Sequence, residues 1–366
     1  METVIADLCR GTANAWDVRV VAAGERPRTV AERLDGVSVV RAGSLATVQS
    51  VPICPSFPYH LWRRQADCVV LHEPNPIAGA AVALRVPAKH LIVWHHSDLL
   101  RPWWAPHTYG HLQRAVYRRA DCVIVSSRAL ADASPLVGAA RSVAIVPFGI
   151  ELNRFTAPDA DLETRVQTLR GSGGGPRVLF VGRFVYYKGL DVLIDAVASC
   201  RGELWLVGDG PLEPALRQRA AARGIADRVR WFGRVDDEDL PAIYRAADLF
   251  VLPSVATTET FGVVQLEAMA SGLPVVSTNL PTGVPWVNRD GVSGLVVPPG
   301  DVDGLAAAIR RLEDDVPLRR RLGENAVARA RSEFSRERMV ARFRDVVEQV
   351  VAFPTAVGAL ARVGLS

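Results

Sequence analysis

The sequence predicts an α/β protein built on two largely parallel sheets, and three observations predict it. Short, near-continuous apolar runs recur along the 366 residues, helical stretches fall between them, and a polar, glycine-rich segment divides the runs into two sets. Strands covered on both faces read as such runs, and helices between them are the crossovers that parallel pairing requires.

The first set is "DVRVVAA", "GVSVV", "CVVLH", "HLIVWHH", "CVIVSS" and "SVAIVPF". The second is "RVLFVGR", "ELWLVGDG", "RVRWFG", "DLFVLPS", "LPVVST" and "SGLVVPPG". Between them "NRFTAPDADLETRVQTLRGSGGGP" reads as the link between two domains. After Gly300 three helical stretches follow, ending near Val351. The expected organisation is a first domain over 1–152, a linker over 153–175, a second domain over 176–333, and a helix and tail over 334–366 that cross back to the first domain. Two doubly wound domains facing each other would hold a ligand in a cleft at the carboxyl ends of their strands.

Composition narrows the function classes. Charged residues at 22% and hydrophobic residues at 49% are those of an ordinary globular protein. No apolar run is long enough to span a bilayer, and the opening "METVIADLCRG" lacks the basic start of a signal peptide, so the expected location is the cytoplasm. Cys9, Cys54, Cys68, Cys122 and Cys200 form no Cys-x-x-Cys pair and read as free thiols. Up to Ile150 sixteen Lys/Arg stand against eleven Asp/Glu, a mildly basic half that could face anionic lipid or an anionic acceptor. No basic run interleaved with aromatics points to nucleic acid.

The stretch "TETFGVVQLEAMASGLPVV" carries two acids, Glu259 and Glu267, with seven residues between them. Glu259 precedes a helix that Gly272 and Pro274 end, and Glu267 lies within it among apolar neighbours. A helix apolar nearly all round is buried, and a carboxylate buried with it needs partners, which sugar or ribose hydroxyls would supply. "VLFVGRFVYYKGLDVLIDA" puts Arg183 just past a strand and Lys188 near the next helix start, where both could clamp a diphosphate. Lys188 is one of only two lysines among 43 basic residues, so its compact ammonium stands out in an arginine-rich chain.

Other motifs have plainer readings. "LVGDGPLEP" has Gly208 and Gly210 but Glu213 where a dinucleotide fingerprint needs its third glycine, so it reads as a tight turn. Asp301 and Asp303 directly precede an apolar helix and read as capping residues. All seven histidines lie before residue 112. In "LIVWHHSDLLRP" His95 reads as structural and His96, next to Ser97 and Asp98, as functional.

Taken together, "LHEPNP", "WHHSD", "ADCVIVSS", "VPFGIELNRF", "VGRFVYYKGLDVLIDA", "VGDGP", "FGRVDDEDLPAIYRAADLFVLPS", "ETFGVVQLEAMASGLPVV" and "GLVVPPGD" resemble retaining glycosyltransferases of family four, from Met1 to about Val351. That family has the GT-B architecture, two facing Rossmann-like domains with a cleft between them. Within it the sequence is most similar to mannosyl- and rhamnosyltransferases of O-antigen and exopolysaccharide assembly.

The resemblance implies roles. Glu259 would meet the transferred sugar, with the amides of Phe261, Gly262 and Val263 facing its hydroxyls or phosphate. Glu267 would bind the ribose, Arg183 and Lys188 the diphosphate, and Arg234 with Val235 the base, while Gly208 joins the donor-binding set. His96 matches the histidine near the anomeric carbon, and Asn75, Ser97, Asp98 and Ser126 are candidates on the acceptor side. The donor would be a nucleotide-diphosphate sugar such as GDP-mannose, the acceptor lipid-linked or a glycan, and neither a metal nor a further cofactor is expected. Contact with the inner face of an anionic membrane is a further expectation. A second reading keeps the fold without catalysis, as a sugar-nucleotide-binding or partner protein, and a weaker third is a sugar-nucleotide epimerase. Family members open with a strand and a glycine-rich loop, which this sequence lacks ahead of "METVIADLCRG". The resemblance therefore implies an upstream start, and beside "DVRVVAA" an unpaired strand edge with an open apolar slot.

Overall fold

The computed structural model describes residues 2–48, 51–98, 105–157, 159–171 and 175–352, with only the backbone of 51 and 105–108. It divides into two compact units, Met1–Pro147 with Glu337–Ser366, and Phe148–Arg336.

In the first unit the strands are β1 (Arg19–Ala23), β2 (Val30–Leu34), β3 (Val37–Ala42), β4 (Ala46–Val48), β5 (Val51–Ile53), β6 (Ala66–Glu73), β7 (Ala88–His95), β8 (Cys122–Val125) and β9 (Val143–Ile145). The four last form one sheet in the order β6-β7-β8-β9, parallel throughout. Its central strands are buried on both faces, as their unbroken apolar runs require, with Leu91, Val93, Val123 and Val125 packed against Val116, Tyr117 and Leu130. A separate sheet has the order β1-β3-β2, in which β1 and β3 are parallel and β2 antiparallel to β3. The sequence reading missed β2 and the hairpin β4-β5, because "VAERL" is largely exposed and carries no apolar run. The helix Arg336–Ala352 closes this unit with one apolar stripe, seating Phe343 against Trp16 and Trp94 with ring centroids 6.2 and 5.6 Å apart. The tail from residue 353 lies outside the described residues.

The second unit holds β10 (Arg177–Val181), β11 (Glu203–Val207), β12 (Val229–Gly233), β13 (Leu249–Leu252), β14 (Val275–Thr278) and β15 (Gly294–Val297). They form one parallel sheet in the order β12-β11-β10-β13-β14-β15. Val178, Phe180, Leu204, Leu206 and Val251 bury against Leu193, Ile194, Leu305 and Ile309 of the flanking helices. The chain steps outward from β10 to β12 on one side, then returns to build β13 to β15 on the other. The switch point is therefore the crevice between the carboxyl ends of β10 and β13.

The stretch read as a linker is corrected in part. It carries the helix Ala160–Arg170, capped by Asp159, whose Leu162 and Val166 are buried and whose Glu163 pairs with Arg245 at 2.7 Å. Two buried apolar positions in eleven leave too faint a period to read, and packing against Leu240–Ala246 supplies what propensity does not.

Candidate active site

The residues expected to bind a donor collect at the carboxyl edge of the second sheet. Arg234 and Val235 follow β12, Gly208 follows β11, Gly182 and Arg183 follow β10, and Ser254 and Glu259 follow β13. After Gly182 a single 3₁₀ turn, Tyr186–Lys188, leads to Gly189, whose left-handed φ of 65° reverses the chain into the helix Leu190–Ala198. A Cβ there would lie 2.2 Å from the carbonyl of Pro253, so only glycine lets this turn sit against the end of β13.

That contact brings Lys188 to Glu259. Lys188 Nζ donates to Glu259 Oε2 at 2.5 Å, Ser254 Oγ donates to the same oxygen at 3.1 Å, and both charged residues are only 8% exposed. Thr278 Oγ1, from the end of β14, donates to the Ser254 carbonyl at 2.6 Å. The pair thus sits at the switch point. A buried ion pair is weak evidence for stability, because its desolvation offsets its attraction, which favours a functional reason for it.

Arg183 is the contrasting cation. Its side chain is exposed and meets no carboxylate among the described residues, so its charge is available to a ligand. Arg234, also exposed, leans on Asp209 at 3.4 Å. Gly208, with φ 124°, would drive a Cβ to 2.1 Å from the Gly182 carbonyl, so the loops after β10 and β11 touch backbone to backbone. That close approach replaces the simple tight turn expected of it.

Phe261 is buried at 1% exposure against Phe148, Trp286 and Phe334. Its ring is core, so what it offers a ligand is its amide, in the run with Gly262 and Val263 before the helix Val264–Ala270. Glu267 lies in that helix, half-buried, and accepts from the Tyr244 hydroxyl at 2.8 Å. Burial pushes its carboxyl up to about 7, against the opposing pull of the Tyr244 bond and of Arg154. Tyr244 and Ser254, partners of the two acids, were not legible in the sequence. Tyr244 lies in the helix Leu240–Ala246 and Ser254 just past β13, where their own sequence surroundings explain them, and only the tertiary fold brings each near its acid. Asp301 caps its helix, accepting from the Gly304 amide at 2.9 Å.

The other expected residues stand at the carboxyl ends of β6, β7 and β8, in the first unit. His96 is 7% exposed, its Nε2 is 2.9 Å from Nδ1 of His72, and both rings stack with Trp94. Burial depresses the imidazoles, His72 and His95 to about 4 and His96 well below its ordinary value, so all three are neutral near pH 7. His95 is fully buried, with Nδ1 2.7 Å from the Tyr117 hydroxyl. Among the acceptor-side candidates, Asn75 caps the helix Pro76–Leu84, Asp98 accepts from Ser134 at 2.8 Å, and Ser97 is half-buried. Ser126 has no exposed surface, so it cannot touch an acceptor in this conformation. Glu73, unassigned by the sequence reading, organises this end by accepting from Tyr109, Gln113 and the Asn75 amide at 2.9, 2.9 and 3.1 Å.

At the switch point of a doubly wound sheet stand an ammonium-carboxylate pair, a guanidinium that meets no carboxylate among the described residues, and a run of amides, chemistry that suits an anionic, hydroxyl-rich ligand. Residues 165–329 match the family described as glycosyl transferases group 1, and residues 1–149 the glycosyl transferase 4-like domain. The chain is 32% identical to O-antigen chain mannosyltransferase C of Escherichia coli over 75% of its length and 73% of that protein's. It is also 32% identical to a D-rhamnosyltransferase of Pseudomonas aeruginosa, covering 74% and 70% of the two chains. A solved sucrose-phosphate synthase from Thermosynechococcus elongatus superposes with a TM-score of 0.79 at 25% identity, over 96% of this chain and 93% of that one. The Anabaena protein HepE, crystallised with UDP-glucose, shares the fold with a TM-score of 0.76 at 23% identity, over 95% of each chain. The chain belongs to the group 1 glycosyltransferases, with the GT-B fold and hexosyltransferase relatives. No described helix is long and apolar enough to cross a membrane.

Proposed function

We propose that this glycosyltransferase moves a hexose, mannose or a close relative, from a nucleotide-diphosphate sugar to a lipid-linked or glycan acceptor with retention of anomeric configuration. The observation that carries the proposal is the Lys188–Glu259 pair at the switch point, with Arg183, which meets no carboxylate among the described residues, just past the end of β10. The relatives' mannosyl and rhamnosyl names favour GDP-mannose as donor, and the basic first half favours an anionic acceptor at a membrane face.

In this reading the bond between the anomeric carbon and the diphosphate oxygen breaks, its electron pair staying with the phosphate. Lys188 and Arg183 stabilise the charge that builds there more than they stabilise the ground state. The acceptor hydroxyl adds to the same face, and its proton passes to the departing phosphate oxygen. Glu259, held by Ser254 and Lys188, faces the sugar, and Glu267 takes the ribose hydroxyls. His96, in the first unit, is neutral at working pH and so can donate or accept a hydrogen bond without carrying charge. With two side-chain cations in place the proposal needs no divalent metal. Activity should persist in excess chelator, and its loss, restored by added magnesium, would overturn that part.

The Glu267 carboxyl gives a pH test. With its pKa raised to about 7 in the free protein, it is increasingly protonated as pH falls from 8 to 6 and accepts ribose hydroxyls less well. Affinity for a nucleotide sugar, whose diphosphate stays ionised over this range, should therefore fall as pH is lowered. Glu267→Gln should bind more weakly at pH 8, by ~1–3 kcal/mol, and lose the pH dependence. The buried histidines titrate below this window and do not contribute. Calorimetry showing the same slope in the variant would return Glu267 to a structural role.

Binding without catalysis is the reading to separate from this one. A panel of nucleotide sugars tested for binding and for slow hydrolysis without acceptor decides it: hydrolysis of one donor supports the transferase, and tight binding with no turnover, with or without glycan acceptors, supports the binding protein.

A further inference from the structure

The stretch "NRFT", at the start of the segment that reads as a linker, folds as the short helix Asn153–Thr156 and touches both parts of the site expected to hold the nucleoside, all within the second unit. Arg154 Nη2 donates to the Asp237 carbonyl, in the loop 234–239 that carries Arg234 and Val235, and lies 4.0 Å from the Asp237 carboxylate. The next residue turns inward. Phe155, 3% exposed, sets its ring at 81° to that of Tyr244 with centroids 5.8 Å apart, and the Tyr244 hydroxyl donates to Glu267 at 2.8 Å. One turn of helix therefore links the loop after β12 to the acid in the helix Val264–Ala270.

Stability alone does not account for this arrangement. The Asp237 side chain is 91% exposed and that of Arg154 35%, so their ion pair is screened by solvent and worth little. The guanidinium has a second object. It opposes the upward push of burial on the Glu267 carboxyl, while the Asp237 carboxylate adds to that push. Resting Arg154 on Asp237 thus sets a cation near the acid and offsets the anion that works against it. The other neighbours carry no charge. Burial keeps the Tyr244 hydroxyl protonated, β13 and β14 hold no titratable residue, and the helix Val316–Glu333, packed on the Glu267 helix, buries Leu322, Gly323, Ala326 and Ala330.

We propose that Arg154 is a positioning residue for the nucleotide: it ties down the loop after β12 through Asp237 and readies Glu267 for the ribose, without itself touching the ligand. In this role Arg154 depends on Glu267 being the ribose acid, as proposed above. Its charge favours the ionised form of Glu267. A variant without that charge keeps Glu267 protonated up to a higher pH, so its affinity for a nucleotide starts to fall at a higher pH as the solution is made more acid.

The test begins on the free protein, following the Glu267 carboxyl carbon by NMR across neutral pH, with Glu267→Gln to assign it. In Arg154→Met its titration midpoint should rise by at least ~0.5 pH unit, and Arg154→Lys, which restores the charge without the planar fork, should bring it most of the way back. Arg165→Met is the control for a loosened loop. Arg165 donates to the Glu238 carbonyl at 3.4 Å and to Asp239 in the same loop, but is not among the charges that act on Glu267, so this variant should leave the midpoint in place. The affinity for GDP, measured by calorimetry over the same range, should follow the carboxyl in every variant. An unmoved midpoint in Arg154→Met, or an equal rise in Arg165→Met, overturns the proposal. A midpoint that rises while GDP affinity keeps its wild-type pH profile removes Glu267 from the ribose, and the role of Arg154 then falls with that reading.

Discussion

Lys188→Ala is expected to lower sugar transfer by at least ~100-fold, the scale on which loss of oxyanion-type stabilisation acts, and also to lower stability. The second effect comes from the partner. Lys188 and Glu259 are each 8% exposed and share a 2.5 Å bond, so removing the ammonium leaves a buried carboxylate held by the Ser254 hydroxyl at 3.1 Å. Breaking such a pair from one side costs about 3–5 kcal/mol. Glu259→Ala should cost a similar amount by stranding the lysine. The double variant, with neither charge, should recover most of the lost stability and none of the activity. Chemical denaturation of the four proteins, with initial transfer rates, checks both halves. Near-normal turnover in Lys188→Ala removes the diphosphate clamp, and a double variant no more stable than the singles removes the coupling.

Arg183→Ala is expected to cost at least ~100-fold in transfer at unchanged stability. Its guanidinium is exposed and meets no carboxylate among the described residues, so the folded protein loses no ion pair with it. An exposed substitution of this kind ordinarily falls within about ±0.5 kcal/mol. If the guanidinium acts on charge that builds during reaction, kcat falls and KM moves little; if it only holds the donor, KM rises and kcat stays. Arg183→Lys keeps a charge but not the planar fork, and should recover part of the rate. A variant with normal kcat and KM would exclude Arg183 from the site.

Much of the architecture was legible because parallel sheets write themselves plainly. Buried on both faces, β10, β11 and β13 appear as nearly unbroken apolar runs, and all six strands from β10 to β15 were located from sequence, although β12 at the sheet edge carries the exposed Arg230. The exposed β2 and the short β4-β5 hairpin were not, since an edge strand with "VAERL" has no core face to pattern it. The helix Ala160–Arg170 was hidden for the same reason, its polar surface resembling a linker.

What the sequence by itself determined was the class: two sets of buried strands, a carboxylate pair in a glycine-rich context, and two cations just past β10. Those features are local, fixed by period, spacing and residue type. What only the tertiary structure decided was which groups meet. Lys188 and Glu259 are 71 positions apart and touch because the strand order puts β10 next to β13 and Gly189 admits the Pro253 carbonyl. Tyr244 reaches Glu267, and His72 reaches His96, through the same kind of long-range placement. Periodicity reports what a residue buries, whereas pairing depends on strand order, which no local pattern encodes.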